Sequence, residues 1–214
     1  MTLEQIKHLV AKGEGQHLEF KKKVAFPEKV VRELVAFANT SGGHLLVGVD
    51  DDGSISGLRY PEEEHFALTT AIQQLCVPKV RYESETIAVS KKKSVLYYQI
   101  KAAKRKPHYA KDQPIDKYGK AYVRVADKTV QASREMTQIL KRGNGIKDVR
   151  FTYGDKEGIL MKYLDEYQSI TVDQFSKAAN LPRRVASGTL VRLVLAQVLR
   201  IIPNDGEDLF ELRA

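Results

Sequence analysis

A lysine- and arginine-rich segment between residues 91 and 124 has the composition of a nucleic-acid-binding surface. Lysine and arginine neutralise phosphates, while tyrosine and histidine rings can stack on unpaired bases. We expect this segment to contact nucleic acid, and a solvated lysine-rich loop is the alternative. Its residues are Lys91, Lys92, Lys93, Lys101, Lys104, Arg105, Lys106, His108, Tyr109, Lys111, Lys117, Tyr118 and Lys120, with Arg124 on the strand that follows.

The distribution of charge favours the same partner. The 214 residues carry a formal net charge of +8. Residues 1–150 have a net charge of +9 and residues 151–214 a net charge of −1. A local basic excess attracts polyanions, of which nucleic acid is the commonest, although it also aids solubility.

A second candidate nucleic-acid contact lies near the C-terminus. Residues 151–214 predict three helices and a β-hairpin, an order that resembles a winged helix-turn-helix. On its candidate recognition helix, Arg183, Arg184, Ser187 and Arg192 are polar. The predicted hairpin is acidic, and an acidic wing should be repelled by DNA. Reading of DNA and a role in dimerisation or protein docking therefore both stay open. The acidic residues are Asp205, Glu207, Asp208 and Glu211.

The segment Asn39-Thr40-Ser41-Gly42-Gly43 ends a predicted helix before a strongly apolar strand. Glycines there can relax the chain into left-handed conformations and allow tight helix–strand packing. Alternatively, exposed backbone lets a phosphate or base approach. The sequence contains no G-x4-G-K-[ST] loop, so ATP binding is not supported by its residues.

The remaining composition indicates a protein of the reducing cytoplasm. The one cysteine, Cys76, lies in an apolar stretch and is expected to be a packed side chain. No apolar run reaches the ~18 residues of a membrane span, and the first residues do not resemble a signal peptide. We expect no membrane partner.

The hydrophobic pattern predicts an α+β fold, a mixed sheet layered with helices, followed by the small winged helix-turn-helix domain. Thr2 with Gln5 and Thr171 with Gln174 have capping-box spacing, and Pro27 opens another helix. The expected domains are residues 1–142 and 151–214, with a linker at 143–150.

Three motifs resemble the Schlafen AlbA-like domain family over roughly residues 1–142. They are Glu14-Gly15-Gln16-His17-Leu18-Glu19-Phe20-Lys21, then Ala36–Gly43 with Leu46–Asp50, and Tyr122–Val125, after which Ala126 replaces the family's usual glycine. Prokaryotic members with a C-terminal winged helix are described as transcriptional regulators. The resemblance therefore implies a nucleic-acid-binding domain in a regulator.

The resemblance also implies a possible active site. In Schlafens that act as ribonucleases, the corresponding carboxylates form a catalytic trio, here Glu14, Glu19 and Asp50. Such a trio holds Mg²⁺ or Mn²⁺, and Lys21 would neutralise the phosphate. Alternatively, Glu19 pairs with a neighbouring lysine and Asp50 begins a turn. Because active members carry two such modules in one chain, a nuclease would be expected to act as a homodimer.

Three hypotheses follow. The first is a DNA-binding regulator, with RNA as a possible target. The second is a metal-dependent endoribonuclease that uses the three carboxylates. The third is a protein-interaction module whose positive charge is incidental.

Overall fold

A computed structural model describes residues 1–143 and 152–213. The chain divides into two compact units, Met1–Gln131 and Ala132–Ala214. The helices are α1 (Leu3–Val10), α2 (Pro27–Asn39), α3 (Pro61–Leu75), α4 (Arg134–Arg142), α5 (Asp155–Tyr167), α6 (Val172–Ala178) and α7 (Arg183–Leu195). The strands are β1 (Leu18–Lys21), β2 (Gly43–Val47), β3 (Cys76–Val77), β4 (Tyr82–Ser90), β5 (Lys93–Ile100), β6 (Tyr109–Ala110), β7 (Tyr122–Val125), β8 (Lys128–Gln131), β9 (Ser169–Ile170), β10 (Leu199–Ile202) and β11 (Leu209–Leu212).

The first unit is built on a mixed four-stranded sheet of order β1-β2-β5-β4. β1 and β2 are parallel, and the other two pairings are antiparallel. Because side chains alternate along a strand, β1 places Leu18 and Phe20 on one face and Glu19 and Lys21 on the other. The expected mixed α+β architecture is confirmed for this unit.

Helices cover both faces of the sheet. Ile6 of α1 packs with Phe20 and Leu46 on one face. Helices α2 and α3 bury Leu34, Phe37, Leu68 and Ile72 in a larger core with Leu45, Val47, Tyr98 and Ile100 on the other. The capping box of Thr2 and Gln5 is present at the start of α1, and Pro27 is at the first turn of α2, as the sequence predicts.

The second unit combines helices α4–α7 with a three-stranded antiparallel sheet of order β10-β11-β9. Its core contains Leu160, Phe175, Leu190 and Phe210. The predicted capping box of Thr171 and Gln174 opens α6. The predicted hairpin is formed by β10 and β11.

Helix α4 groups with this second unit, whereas the sequence interpretation ended the first domain after it, at residue 142. The physical reason is that Ile139 packs against the core of the second unit. Most of the linker expected at 143–150 lies outside the described residues, with only Gly143 inside them, where it caps α4. Within the described ranges, no helix has the length and apolar content needed to cross a membrane.

Candidate functional site

Asn39 at the end of α2 is a buried hydrogen-bonding centre, with 1% of its surface exposed. Its Oδ1 accepts a hydrogen bond from the backbone N–H of His108 at 2.7 Å. Its Nδ2 donates to the carbonyls of His108 and Tyr122, both at 2.9 Å. A buried amide that makes three such bonds fixes the chain segments that it joins. Asn39 therefore holds the residue-108 segment and β7 against α2.

The two glycines that follow allow a close approach of α2, β2 and β5. Gly42 has φ +81°, and a Cβ added there would lie 2.7 Å from the carbonyl oxygen of Ile100. A Cβ on Gly43 would overlap the ring of Phe37. These contacts account for both glycines as packing requirements, which is the structural alternative raised from the sequence.

The same helix end anchors a loop rich in cations, residues 101–108. The backbone N–H of Ala103 donates to the carbonyl of Ala38 at 2.8 Å. Lys106 Nζ donates to the carbonyl of Thr40. With the bonds from Asn39 to His108, three consecutive residues of α2 and its cap hold this loop. These hydrogen bonds hold the loop against the rest of the fold, which distinguishes it from a freely solvated lysine-rich loop.

A cleft of about 490 Å³ opens beside this loop. One wall is the segment between β3 and β4, and the other is the chain that follows β5. Five side chains that line it are cations, all exposed on its rim. They are Lys79, Arg81, Lys101, Lys104 and Arg105. Lys101 forms an ion pair with Glu83, which leaves a strong excess of positive charge. Because its charges have one sign, such a cleft has a strongly positive electrostatic potential and attracts anions.

His108 closes the inner part of the cleft and is buried. Burial lowers the pKa of its imidazole, and nearby Lys106 lowers it further, so His108 is neutral at pH 7. Its Nδ1 lies 2.6 Å from the carbonyl oxygen of Pro78. Because a carbonyl only accepts, Nδ1 carries the proton and Nε2 keeps a lone pair. Burial also lowers the pKa of Lys106.

The predicted basic segment does not form one continuous surface. Lys91 and Lys92 are exposed in the turn between β4 and β5, whereas Lys104 and Arg105 follow the far end of β5. Seven residue steps along β5, at roughly 3.4 Å each, place the two ends of this strand about 24 Å apart. Only the second group lines the cleft. The first forms a separate exposed basic turn.

Three other residues of that segment are partly buried. Lys93 Nζ donates to the carbonyl of Ser56 at 2.6 Å. Tyr109 pairs with Val77 in the small β3–β6 sheet, and the backbone of Lys111 bonds Leu75 at 2.8 Å. These contacts occupy the ammonium group of Lys93 and the backbones of Tyr109 and Lys111.

Arg124, expected to contact nucleic acid, is instead a buried ionic centre with 3% of its surface exposed. Its Nη2 lies 2.6 Å from Glu19 Oε2, and its Nη1 lies 2.9 Å from Glu33 Oε2. The guanidinium also donates to the carbonyls of Gly15 and Leu18. Because its strand packs on α2, Arg124 presents almost no surface to a ligand in this arrangement, and its contact with nucleic acid stays a prediction without structural support.

The three predicted catalytic carboxylates are each engaged in protein contacts. Glu19 is buried, and its two oxygens pair with Lys21 and Arg124. Asp50 pairs with Lys22 at 2.8 Å, which holds the pKa of its carboxyl below the usual range. Glu14 accepts the backbone N–H of Phe20 at 2.8 Å, and burial raises the pKa of its carboxyl.

These residues do not fit the Mg²⁺ or Mn²⁺ that the resemblance implies. A divalent ion needs several free oxygen ligands, and Glu19 already has a cation on each oxygen. Among residues 1–143 and 152–213, no group of three or more carboxylate, histidine or cysteine side chains has an arrangement that could hold a metal ion. The metal site at Glu14, Glu19 and Asp50 thus stays a prediction that this arrangement of side chains does not support.

A family model described as Schlafen, AlbA_2 matches residues 14–133, which is more than half of the chain. The chain belongs to the Schlafen AlbA_2 family. A search of the curated proteins gave no match. Among solved structures, the DIP2311 protein from Corynebacterium diphtheriae is 19% identical, with a TM-score of 0.42. That match covers 62% of this chain and 30% of the other.

Membership of the Schlafen AlbA_2 family points to a nucleic-acid-related function and does not separate DNA from RNA. The matched residues include the α2 segment, the basic loop and the cleft. They exclude helices α5–α7.

In the second unit of this Schlafen AlbA_2 protein, the predicted recognition-helix residues separate into two groups. Ser187 is buried and donates to Glu135 of α4 at 2.5 Å. Arg183 Nε donates to Asp173 at 2.5 Å. Arg184 and Arg192 are exposed. Ser187 therefore cannot contact a ligand in this arrangement, while Arg184 and Arg192 can.

The acidic hairpin is less repulsive than its composition indicated. Asp208 is buried and accepts a hydrogen bond from Ser133. Glu211 forms two bonds with Arg200, at 2.6 and 3.0 Å. Only Asp205 and Glu207 of the four acidic residues are exposed.

Sequence reasoning missed Glu33 and two cations of the cleft, Lys79 and Arg81. A usable signal existed for Arg81. A hairpin centred on the turn at Ser90–Lys93 pairs Arg81 with Ala102, next to Lys101. In the structure a β-bulge between Ala88 and Ser90 shifts this register by one residue, and the backbone of Arg81 bonds that of Lys101. No comparable signal marked Glu33, which lies in an ordinary amphipathic helix.

Proposed function

We propose that this protein is a DNA-binding regulator whose first unit binds the phosphate backbone of DNA through its basic cleft. The observation that carries the proposal is the cleft itself: five cations surround about 490 Å³. The loop that bears Lys104 and Arg105 is held by the backbone and side chains of Ala38, Asn39 and Thr40. Cations on a fixed loop lose less conformational entropy on binding than cations on a mobile one.

The family supports this assignment at the level of chemistry. A nucleic-acid-related function is what a Schlafen AlbA_2 domain suggests. Polyanion binding of this kind is largely independent of base sequence, since phosphate contacts fix position but do not read bases. The cleft therefore supplies affinity, and any sequence preference must come from elsewhere.

We propose that the second unit is a winged helix and that it supplies the sequence preference. The order α5-β9-α6-α7-β10-β11, with β9 added to the β10–β11 hairpin, supports this assignment. Arg184, Gly188 and Arg192 recur every four residues on the outer face of α7. The two arginines are about 12 Å apart along the helix axis, so they can contact two different phosphates.

One experiment separates the three functional classes. The purified protein is incubated with labelled duplex DNA, single-stranded DNA and structured RNA, with Mn²⁺ or with EDTA, and both gel shift and cleavage are recorded. We expect shifts that weaken with salt and no cleavage in either condition. Neither a shift nor cleavage would overturn the proposal and leave a protein-interaction module.

Substitutions of cleft arginines, with lysines of the β4–β5 turn as the control, test where the nucleic acid binds. Arg81→Gln with Arg105→Gln should weaken every shift, whereas Lys91→Gln with Lys92→Gln at the distant turn is the charge-matched control. Metal-dependent cleavage that is lost in Asp50→Asn would overturn the regulator in favour of the ribonuclease. Glu19→Ala is unsuitable for that purpose, because it also removes one of the two carboxylate partners of buried Arg124. The expected homodimer stays a prediction, testable by light scattering.

A further inference from the structure

The basic cleft differs from an extended phosphate-binding surface in its size. Duplex DNA presents one charge per ~1.7 Å along a continuous surface, which is best met by a long row of cations. Here five cations instead line a cavity of about 490 Å³. That volume lies near the lower end of the range for small-ligand sites. It is large enough for about one nucleotide.

The density of positive charge in the cleft exceeds what one internal phosphate needs. Of the five cations, Lys101 is paired with Glu83, and Lys79, Arg81, Lys104 and Arg105 also line the cavity. An internal phosphodiester carries one negative charge. A phosphomonoester carries about −1.5 to −2 at pH 7 and has three acceptor oxygens. Two arginines beside two lysines match the second ligand better, since arginine binds such groups with paired N–H bonds.

The floor of the cleft adds an acceptor and no further charge. His108 is neutral, with its Nδ1 proton directed to Pro78, so Nε2 can accept a hydrogen bond from a sugar hydroxyl or from a base. The other lining residues are Pro78, Ala102 and Ala103. These give apolar contact without an aromatic platform, so recognition depends on the charged group and not on the base.

We infer that the cleft binds the phosphorylated end of a single-stranded nucleic acid, taking one terminal nucleotide with its phosphomonoester. This inference rests on the proposed function, because it names which part of a nucleic acid enters the cleft. Arg81 and Arg105 bind the terminal phosphate, and the chain continues out of the cleft. A phosphorylated strand end is thus the part of a nucleic acid that the cleft prefers, while contact of the second unit with duplex DNA is a separate proposal.

The test uses the full chain and four internally labelled ten-nucleotide single strands of one sequence. They carry a 5′-phosphate, a 3′-phosphate, both phosphates or hydroxyl ends, and fluorescence anisotropy gives each dissociation constant at fixed salt. We expect a phosphorylated end to bind roughly tenfold more tightly than a hydroxyl end, as for hydrogen bonds to a charged group. The two singly phosphorylated strands decide which end is the ligand.

Two pairs of substitutions locate the effect. Arg81→Gln with Arg105→Gln should abolish the gain from the phosphate, and Lys91→Gln with Lys92→Gln should retain it. Circular dichroism checks that both variants are folded. A gain that survives in the cleft variant overturns the inference.

The failure of the inference is distinguishable from failure of the proposed function. Equal affinity for phosphorylated and hydroxyl ends, with binding still dependent on Arg81 and Arg105, overturns end recognition and leaves nucleic-acid binding standing. Absence of binding to all four strands and to duplex DNA overturns both.

Discussion

The buried ion pairs of Arg124 allow a quantitative test of the site's structural interpretation. Substitution of Arg124 by methionine keeps most of the side-chain volume but removes the cation between Glu19 and Glu33. The two carboxylate side chains are only 7% and 18% exposed, respectively. Removing one partner of a buried ion pair typically costs about 3–5 kcal/mol.

The loss of folding stability in Arg124→Met should depend on pH. Burial and the nearby charge of Glu19 already raise the pKa of Glu33, while Arg124 opposes that rise. In Arg124→Met the folded-state pKa of Glu33 should therefore be higher still. The folded protein then binds more protons than the unfolded chain above about pH 4.5, so stability is lost as pH rises. Lys21 continues to neutralise Glu19. We expect a loss of about 3 kcal/mol at pH 7.5 and a smaller loss at pH 5.

Hydrogen exchange by mass spectrometry measures this loss in the first unit alone, through the protected amides of β1 and β7. The control is Arg105→Met, an exposed arginine of the same unit, which should change stability by less than about 0.5 kcal/mol. An Arg124→Met loss equal to that of the control would refute the reasoning. A loss that is no smaller at pH 5 would refute the part played by Glu33.

Four further substitutions test other parts of the structure. Gly42→Ala should destabilise the first unit by about 2 kcal/mol, since its φ is +81° and its Cβ would contact the Ile100 carbonyl. Gly188→Ala, at a position in α7 where an added Cβ meets no other atom of the described residues, should stabilise the second unit by about 0.5–1 kcal/mol. Urea denaturation compares the stability of Gly42→Ala and Gly188→Ala with that of the wild type. Changes of the same sign in both variants would contradict the packing interpretation of Gly42. Ser187→Ala should cost about 1–3 kcal/mol in thermal denaturation, because buried Glu135 loses its hydroxyl donor, and a cost no larger than that of Arg184→Ala would argue against that bond. Finally, because the pKa of His108 is lowered in the folded protein, the unfolded chain binds a proton at this residue first as pH falls below about 6.5, and stability falls on acidification. The substitution His108→Gln should flatten that part of the stability–pH profile. An unchanged profile would contradict a neutral His108.

Local features of the fold were predictable from the sequence because their causes are local. The capping boxes at Thr2 and Thr171, and Pro27 at the start of α2, act within one helical turn. The apolar run at residues 44–49 likewise gave the central part of β2. The short strands β3, β6 and β9 were missed, since two residues leave no detectable period.

The candidate site was less predictable because it depends on contacts between distant residues. Sequence proximity joined Lys91 and Lys92 to Lys104 and Arg105, although the length of β5 separates them. Arg124 has the sequence context of a surface strand residue, and its burial follows only from the packing of β7 on α2. The family motif Ala36–Gly43 was recognised, but its role in holding the basic loop needed the hydrogen bonds of Asn39.

The salt dependence of nucleic-acid affinity tests the central claim most directly. The affinity of the wild-type protein for a single strand should fall linearly with the logarithm of salt concentration, because bound phosphates release counterions. Each cleft cation that is removed, first Arg105→Gln and then Arg81→Gln with it, should reduce that slope by about one. Lys91→Gln with Lys92→Gln should leave the slope unchanged if the cleft is the binding site. A wild-type affinity that does not respond to salt, or a slope that changes only with the lysines of the β4–β5 turn, would contradict the assignment.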